Sequence, residues 1–96
     1  MIDDSCESLA PLDAEAAAWI GRHLRKQLPD PQSELATITG KTLKHEYKRL
    51  LRHMESGDHL CDWAWHGKSG ARDAYSIGWC LVREGKVLYS ICHSSG

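Results

Sequence analysis

No apolar run in the 96-residue sequence approaches membrane-spanning length, and its opening, Met1-Ile2-Asp3-Asp4-Ser5, lacks the basic start and apolar stretch of a secretory leader. These absences predict a cytosolic protein with no membrane partner. Cysteine pairs are missing as well: Cys6, Cys61, Cys80 and Cys92 include no C-x-x-C spacing, so neither zinc nor dithiol chemistry is signalled and free thiols are expected. Basic residues are absent from positions 1–16, where Asp3, Asp4, Glu7, Asp13 and Glu15 lie. Residues 1–12 are therefore read as an acidic, flexible N-terminal segment.

What is present suffices for one domain and no more, because a chain this short cannot enclose two cores. The hydrophobic fraction of 42%, with Trp19, Trp63, Trp65 and Trp79 as bulky core candidates, excludes global disorder. The formal net charge is -1, yet the signs are segregated: Lys41, Lys44, Lys48, Arg49 and Arg52 stand against Glu46 alone in residues 41–52.

The periodicity predicts an α+β fold of three helices followed by a three-stranded antiparallel meander. Asp13 suits the N-cap of a first helix over residues 14–28, with Glu15 in the first turn and Ala17, Ile20, Leu24 and Leu28 as its apolar stripe. After Pro29 and Pro31, a short helix over 33–39 is capped by Ser33 and closed by Gly40, a residue able to take positive φ. A longer helix over 42–56 has Leu43, Tyr47, Leu50, Leu51 and Met54 on one stripe and stops at Gly57.

From His59 the period changes to two, which places strands near 59–66, 74–82 and 86–92, joined by the loop 67–73 and the turn Arg83-Glu84-Gly85. The register of the last hairpin is chosen by burial. A two-residue Glu84-Gly85 turn would set Trp79 against Ser90 and Ile77 against Cys92. A type I turn with Gly85 in a bulge sets Leu81 by Val87, Trp79 by Tyr89 and Ile77 by Ile91, a continuous apolar face, and is the one expected. The other face, Ser76, Gly78, Cys80, Leu88, Ser90 and Cys92, is then expected near the surface or under a partner.

At this order and spacing the chain resembles the winged helix-turn-helix family of DNA-binding domains, in its short bacterial or phage regulator form. The resemblance covers about half the chain. Glu34-Leu35-Ala36 with Thr39-Gly40 looks like the E-L-A-x-x-T-G run of a second helix and turn. Tyr47, Leu51 and Met54 fall where such families place the buried residues of the recognition helix, and Trp65, Gly70, Tyr75 and Gly78 look like a W…G…Y-x-x-G wing. It implies a non-enzymatic transcriptional regulator that binds duplex DNA as a homodimer, with the Trp-rich sheet and the first helix as candidate dimer interfaces.

A helix enters a major groove only if one stripe is buried and the opposite stripe offers donors. Thr42, Lys44 and His45 are the candidates for base contact, Lys48, Arg49 and Arg52 for phosphate contact, and Lys68, Ser69 and Arg72 for contacts from the wing. The rival class is a protein-interaction module on the same fold, such as a phage-encoded inhibitor of anti-CRISPR size, which the acidic N-terminus and net charge favour.

Three other chemistries lack their motifs, and no cofactor is expected. Gly40-Lys41-Thr42 opens a helix as a P-loop does, but the glycine required five positions earlier is Leu35. His59, Cys61, His66, Cys80, Cys92 and His93 share strands without ligand-pair spacing, so unliganded residues are expected there; a metal-binding protein stands third. No cysteine begins a helix or sits in a glycine-rich elbow that would lower its pKa, so nucleophilic catalysis is unsupported.

Overall fold

The computed structural model describes residues 11–96; the rest of the acidic segment, with Cys6, lies outside the described residues. Seven elements follow in order: α1 (Ala14–Gly21), β1 (Leu24–Gln27), α2 (Pro31–Thr37), α3 (Lys41–Arg52), β2 (His59–Ser69), β3 (Arg72–Arg83) and β4 (Lys86–Ser95). The strands form one antiparallel sheet in the order β1-β2-β3-β4. The α+β class and three helices stand, but the expected three-stranded meander is a four-stranded sheet.

The fourth strand comes from the predicted first helix. Asp13 caps α1 as expected, its carboxylate accepting from the Ala16 N–H at 2.7 Å. The helix stops at Gly21 rather than at residue 28, because glycine costs about 1 kcal/mol relative to alanine in a helix and the chain beyond finds other partners. His23 donates from Nδ1 to the Trp19 carbonyl at 2.8 Å, Ala64 N–H donates to the His23 carbonyl at 3.1 Å, and Leu28 N–H to the Leu60 carbonyl at 2.8 Å. Lys26 N–H donates to Asp62 Oδ1 at 2.9 Å. Leu28 is buried while Leu24 stays exposed, so the two do not share the stripe that the helical spacing implied.

Helices cover both faces of the sheet. Alternation sends Leu60, Trp79 and Leu81 to one side, where they pack with Leu28, Ile38, Tyr47, Leu50 and Ile91 beneath α2 and α3. Cys61, Trp63, Cys80 and Val82 go to the other side and meet Ile20, Val87 and the flank of Ala17 and Trp19. Of the second face, expected near the surface or under a partner, Gly78 and Cys80 are buried, Cys80 alongside Ile20 of α1, while Cys92 is exposed. Trp63 lies over Gly78, where any Cβ would run into its indole and into the Ile91 carbonyl, and its Nε1–H donates to Ser90 Oγ at 2.9 Å.

The hairpins correct two further expectations. Between β3 and β4 the turn is the two-residue one, with Glu84 at φ 52° and Gly85 at φ 79°, the signs of a type I′ turn. The rejected turn nevertheless yields buried pairs, because a shift between Leu81 and Val82 moves the register from Val82↔Val87 to Leu81↔Tyr89 and Trp79↔Ile91; a second shift puts Ile77 against Ser94. Between β2 and β3 the loop expected over 67–73 is a tight turn at Gly70-Ala71, since pairing runs on through Gly67↔Ala74 and Lys68↔Asp73 to Ser69↔Arg72. Gly70 takes φ 68° at the first turn position and Ala71 stays at negative φ, as in a type II′ turn. No helix among the described residues is long and apolar enough to cross a membrane.

Candidate nucleic-acid interface

Helix α2 begins two residues earlier than expected, because Asp30 rather than Ser33 is its N-cap, with Pro31 in the first turn where its missing N–H is no loss. Asp30 accepts from the Ser33 hydroxyl at 2.7 Å and from its N–H at 3.3 Å, and these bonds hold the carboxyl below its ordinary range. A turn of Ile38, Thr39 and Gly40 leads to α3. Gly40 has φ -79° and is the N-cap of α3, so it does not close α2 in the left-handed conformation that had been expected.

Two devices seat α3. Tyr47 and Leu50 are fully buried against the sheet, and the Tyr47 hydroxyl donates to the Pro31 carbonyl at 2.8 Å, tying the middle of α3 to the start of α2. Burial pushes the Tyr47 phenol up, so it stays a donor. At the far end α3 stops at Arg52 instead of Ser56: Arg83 donates to the His53 carbonyl at 3.2 Å, and Asp58 accepts from the Glu55 N–H at 2.8 Å, turning the chain into β2.

The outer side of α3 presents Lys41, Thr42, His45, Lys48 and Arg52, all exposed, with Lys44 half-buried at its margin. Five basic residues against Glu46 leave this helix at +4 in a chain of net charge -1. Lys41, Lys44, Lys48 and Arg52 form no salt bridge among the described residues. Arg49 departs from the expected set: it is 8% exposed and lies 3.8 Å from Glu46, so the structure places it inside and not on the outward face. Lys41 joins this face because α3 starts there and not at Thr42 as expected.

On the hairpin, Lys68 sits 2.7 Å from Asp73 across the strand pair and forms an exposed ion pair with it, while Arg72 is exposed and has no partner among the described residues. The side chain of Ser69 lies outside the described residues. The cysteine and histidine residues of the sheet are dispersed, and among the described residues no group of three or more His, Cys, Asp or Glu is placed to hold a metal ion. Cys61 and Cys80 face each other across β2 and β3 as buried free thiols, and burial pushes Cys80 up to about 12.

No family model matches the chain, and neither a curated protein nor a solved structure shows significant similarity to it.

Proposed function

We propose that α2, its three-residue turn and α3 work as a helix-turn-helix, and that α3 binds duplex DNA in a small, non-enzymatic cytosolic regulator of bacterial or phage type. The observation that carries this reading is the outer face of α3, with four cations unpaired among the described residues opposite a stripe of fully buried Tyr47 and Leu50. A helix about 10–12 Å across with its side chains fits a major groove about 12 Å wide. Thr42 and His45 near its N-terminal end are suited to base edges, and Lys41, Lys44, Lys48 and Arg52 to phosphates.

Fluorescence anisotropy of a labelled nonspecific duplex across a salt series tests it. Binding at low salt should weaken linearly in log-log form, and the double replacement Lys48→Ala with Arg52→Ala should reduce the slope by about 1.8, given ~0.9 per phosphate neutralised. Absence of low-salt binding, or an unchanged slope in the double variant, overturns the reading.

A second reading assigns the same face to an acidic protein surface, the use made of it by a phage-encoded inhibitor or adaptor. The Lys68–Asp73 pair favours it, since a hairpin reaching for phosphate would not cancel one of its own cations.

A further inference from the structure

The end of the β2-β3 hairpin holds a groove of about 460 Å³ whose lining includes Trp65, Lys68, Arg72, Asp73, Ser76 and Ser95. It lies at the edge of the sheet, and its lining includes two aromatic rings, Trp65 and Tyr75. Trp65 lies flat along its own strand, over Gly67, where a Cβ would collide with the six-membered ring. The residues paired beside it are small: Ser76 stands opposite Trp65, Ala74 opposite Gly67, and Ser95 opposite Ser76. On the neighbouring strand the residues beside the ring, Ser76 and Ala74, therefore offer only a hydroxymethyl and a methyl group. Trp19 touches it from one side, with ring centroids 6.2 Å apart. Among the described residues the indole N–H has no hydrogen-bond partner and the Arg72 guanidinium, exposed at the rim, has no ion-pair partner. Asp73, the acid in this lining, is matched by Lys68 at 2.7 Å.

A half-buried indole lying flat on a sheet, with small neighbours, a free donor and an unpaired guanidinium at its rim, is equipped for an aromatic, anionic ligand. We propose that this groove binds a nucleobase with its phosphate, the base stacking on Trp65 and the phosphate meeting Arg72. Base stacking on an aromatic side chain and a cation along the backbone are the two devices by which single strands are held. Ser76 and Ser95 supply hydroxyls for base or sugar edges. This site is separate from the α3 face and does not require that α3 binds duplex.

The ligand has two possible sources, a free nucleotide and a single strand, and the test has an arm for each. The folded protein is titrated at 50 mM salt with AMP and with octathymidylate, following tryptophan quenching and the anisotropy of a labelled strand. Quenching by AMP assigns a nucleotide site; quenching by the oligonucleotide alone assigns a single-strand site. In either case Trp65→Leu should weaken binding about tenfold, while Trp65→Tyr, which keeps a stacking ring, should retain most of it. Gly67→Val, which lifts the indole, should weaken binding comparably with Trp65→Leu. Arg72→Ala should lower the salt slope for the oligonucleotide by about 0.7. Lys48→Ala with Arg52→Ala, which tests the duplex reading, should leave this binding unchanged. Failure of both ligands to bind overturns the proposal, and so does affinity that survives Trp65→Leu or that falls with the α3 variant instead.

Discussion

Arg83 grips Asp58 through three hydrogen bonds, from Nε to Oδ1 at 2.9 Å and to Oδ2 at 3.2 Å, and from Nη2 to Oδ2 at 2.8 Å. The Asp58 side chain is 1% exposed, so its charge is kept from water and compensated by one guanidinium. Because Nη2 also donates to the His53 carbonyl, the pair joins the end of α3, the turn after it and the last residue of β3. The basic helix is oriented on the sheet by this clamp at one end and by Tyr47 nearer the other.

The Arg83 guanidinium holds the Asp58 carboxyl below the ordinary carboxylate range. A depressed folded pKa means that the unfolded chain takes up the proton first as pH falls. The clamp's contribution is therefore complete above about pH 5 and disappears as pH drops through the folded value. Urea midpoints measured between pH 7 and pH 2 should decline on the acid side for the unaltered protein. Asp58→Asn should start lower at pH 7 and decline less steeply. Parallel curves would show that the clamp does not contribute to acid sensitivity.

Glu84 occupies φ 52° without being glycine, asparagine or aspartate. Replacing it with asparagine suits both positive φ and the type I′ turn, and should raise stability by about 0.5 kcal/mol. Gly85→Ala should lower stability by about 1 kcal/mol, since φ 79° disfavours any Cβ. Thermal melts of the two variants should move in opposite directions; a shift of the same sign in both would contradict the turn geometry.

The thiols should divide by depth. Cys80 is fully buried and burial pushes its pKa up to about 12; Cys61 is pushed in the same direction, whereas Cys92 is exposed. Brief alkylation at pH 8 followed by peptide mass spectrometry should label Cys92 and spare Cys61 and Cys80, with all of them labelled in urea. Equal native labelling of Cys80 and Cys92 would mean that the α1 side of the sheet opens readily.

The legible parts of the sequence were those whose local chemistry has one solution. Asp13 had no rival as a cap, and Leu43, Tyr47 and Leu50 recur at a spacing that only a helix turns to one side. The basic ridge was readable for the same reason, apart from Arg49, whose long stem allows it to be drawn inside from a position that looks outward on a helical projection. The last hairpin was misread because a register shift away from the turn was not foreseen: the shift between Leu81 and Val82 sets Trp79 by Ile91, so the two-residue turn no longer opposes Trp79 to Ser90.

By itself, then, the sequence determined the run of strands after α3, the seat of α3 and the segregation of charge, all of which follow from contacts within a few residues. Tertiary structure decided the rest. Leu24–Gln27 is a strand because β2 offers it backbone partners that a helix ending at Gly21 could not reach. Lys68 is paired because the register of β2 with β3 brings Asp73 across to it. Trp65 is a flat surface because Gly67 beneath it and Ala74 and Ser76 on the next strand leave it room, and cross-strand neighbours are set by register, which no stretch of sequence contains alone.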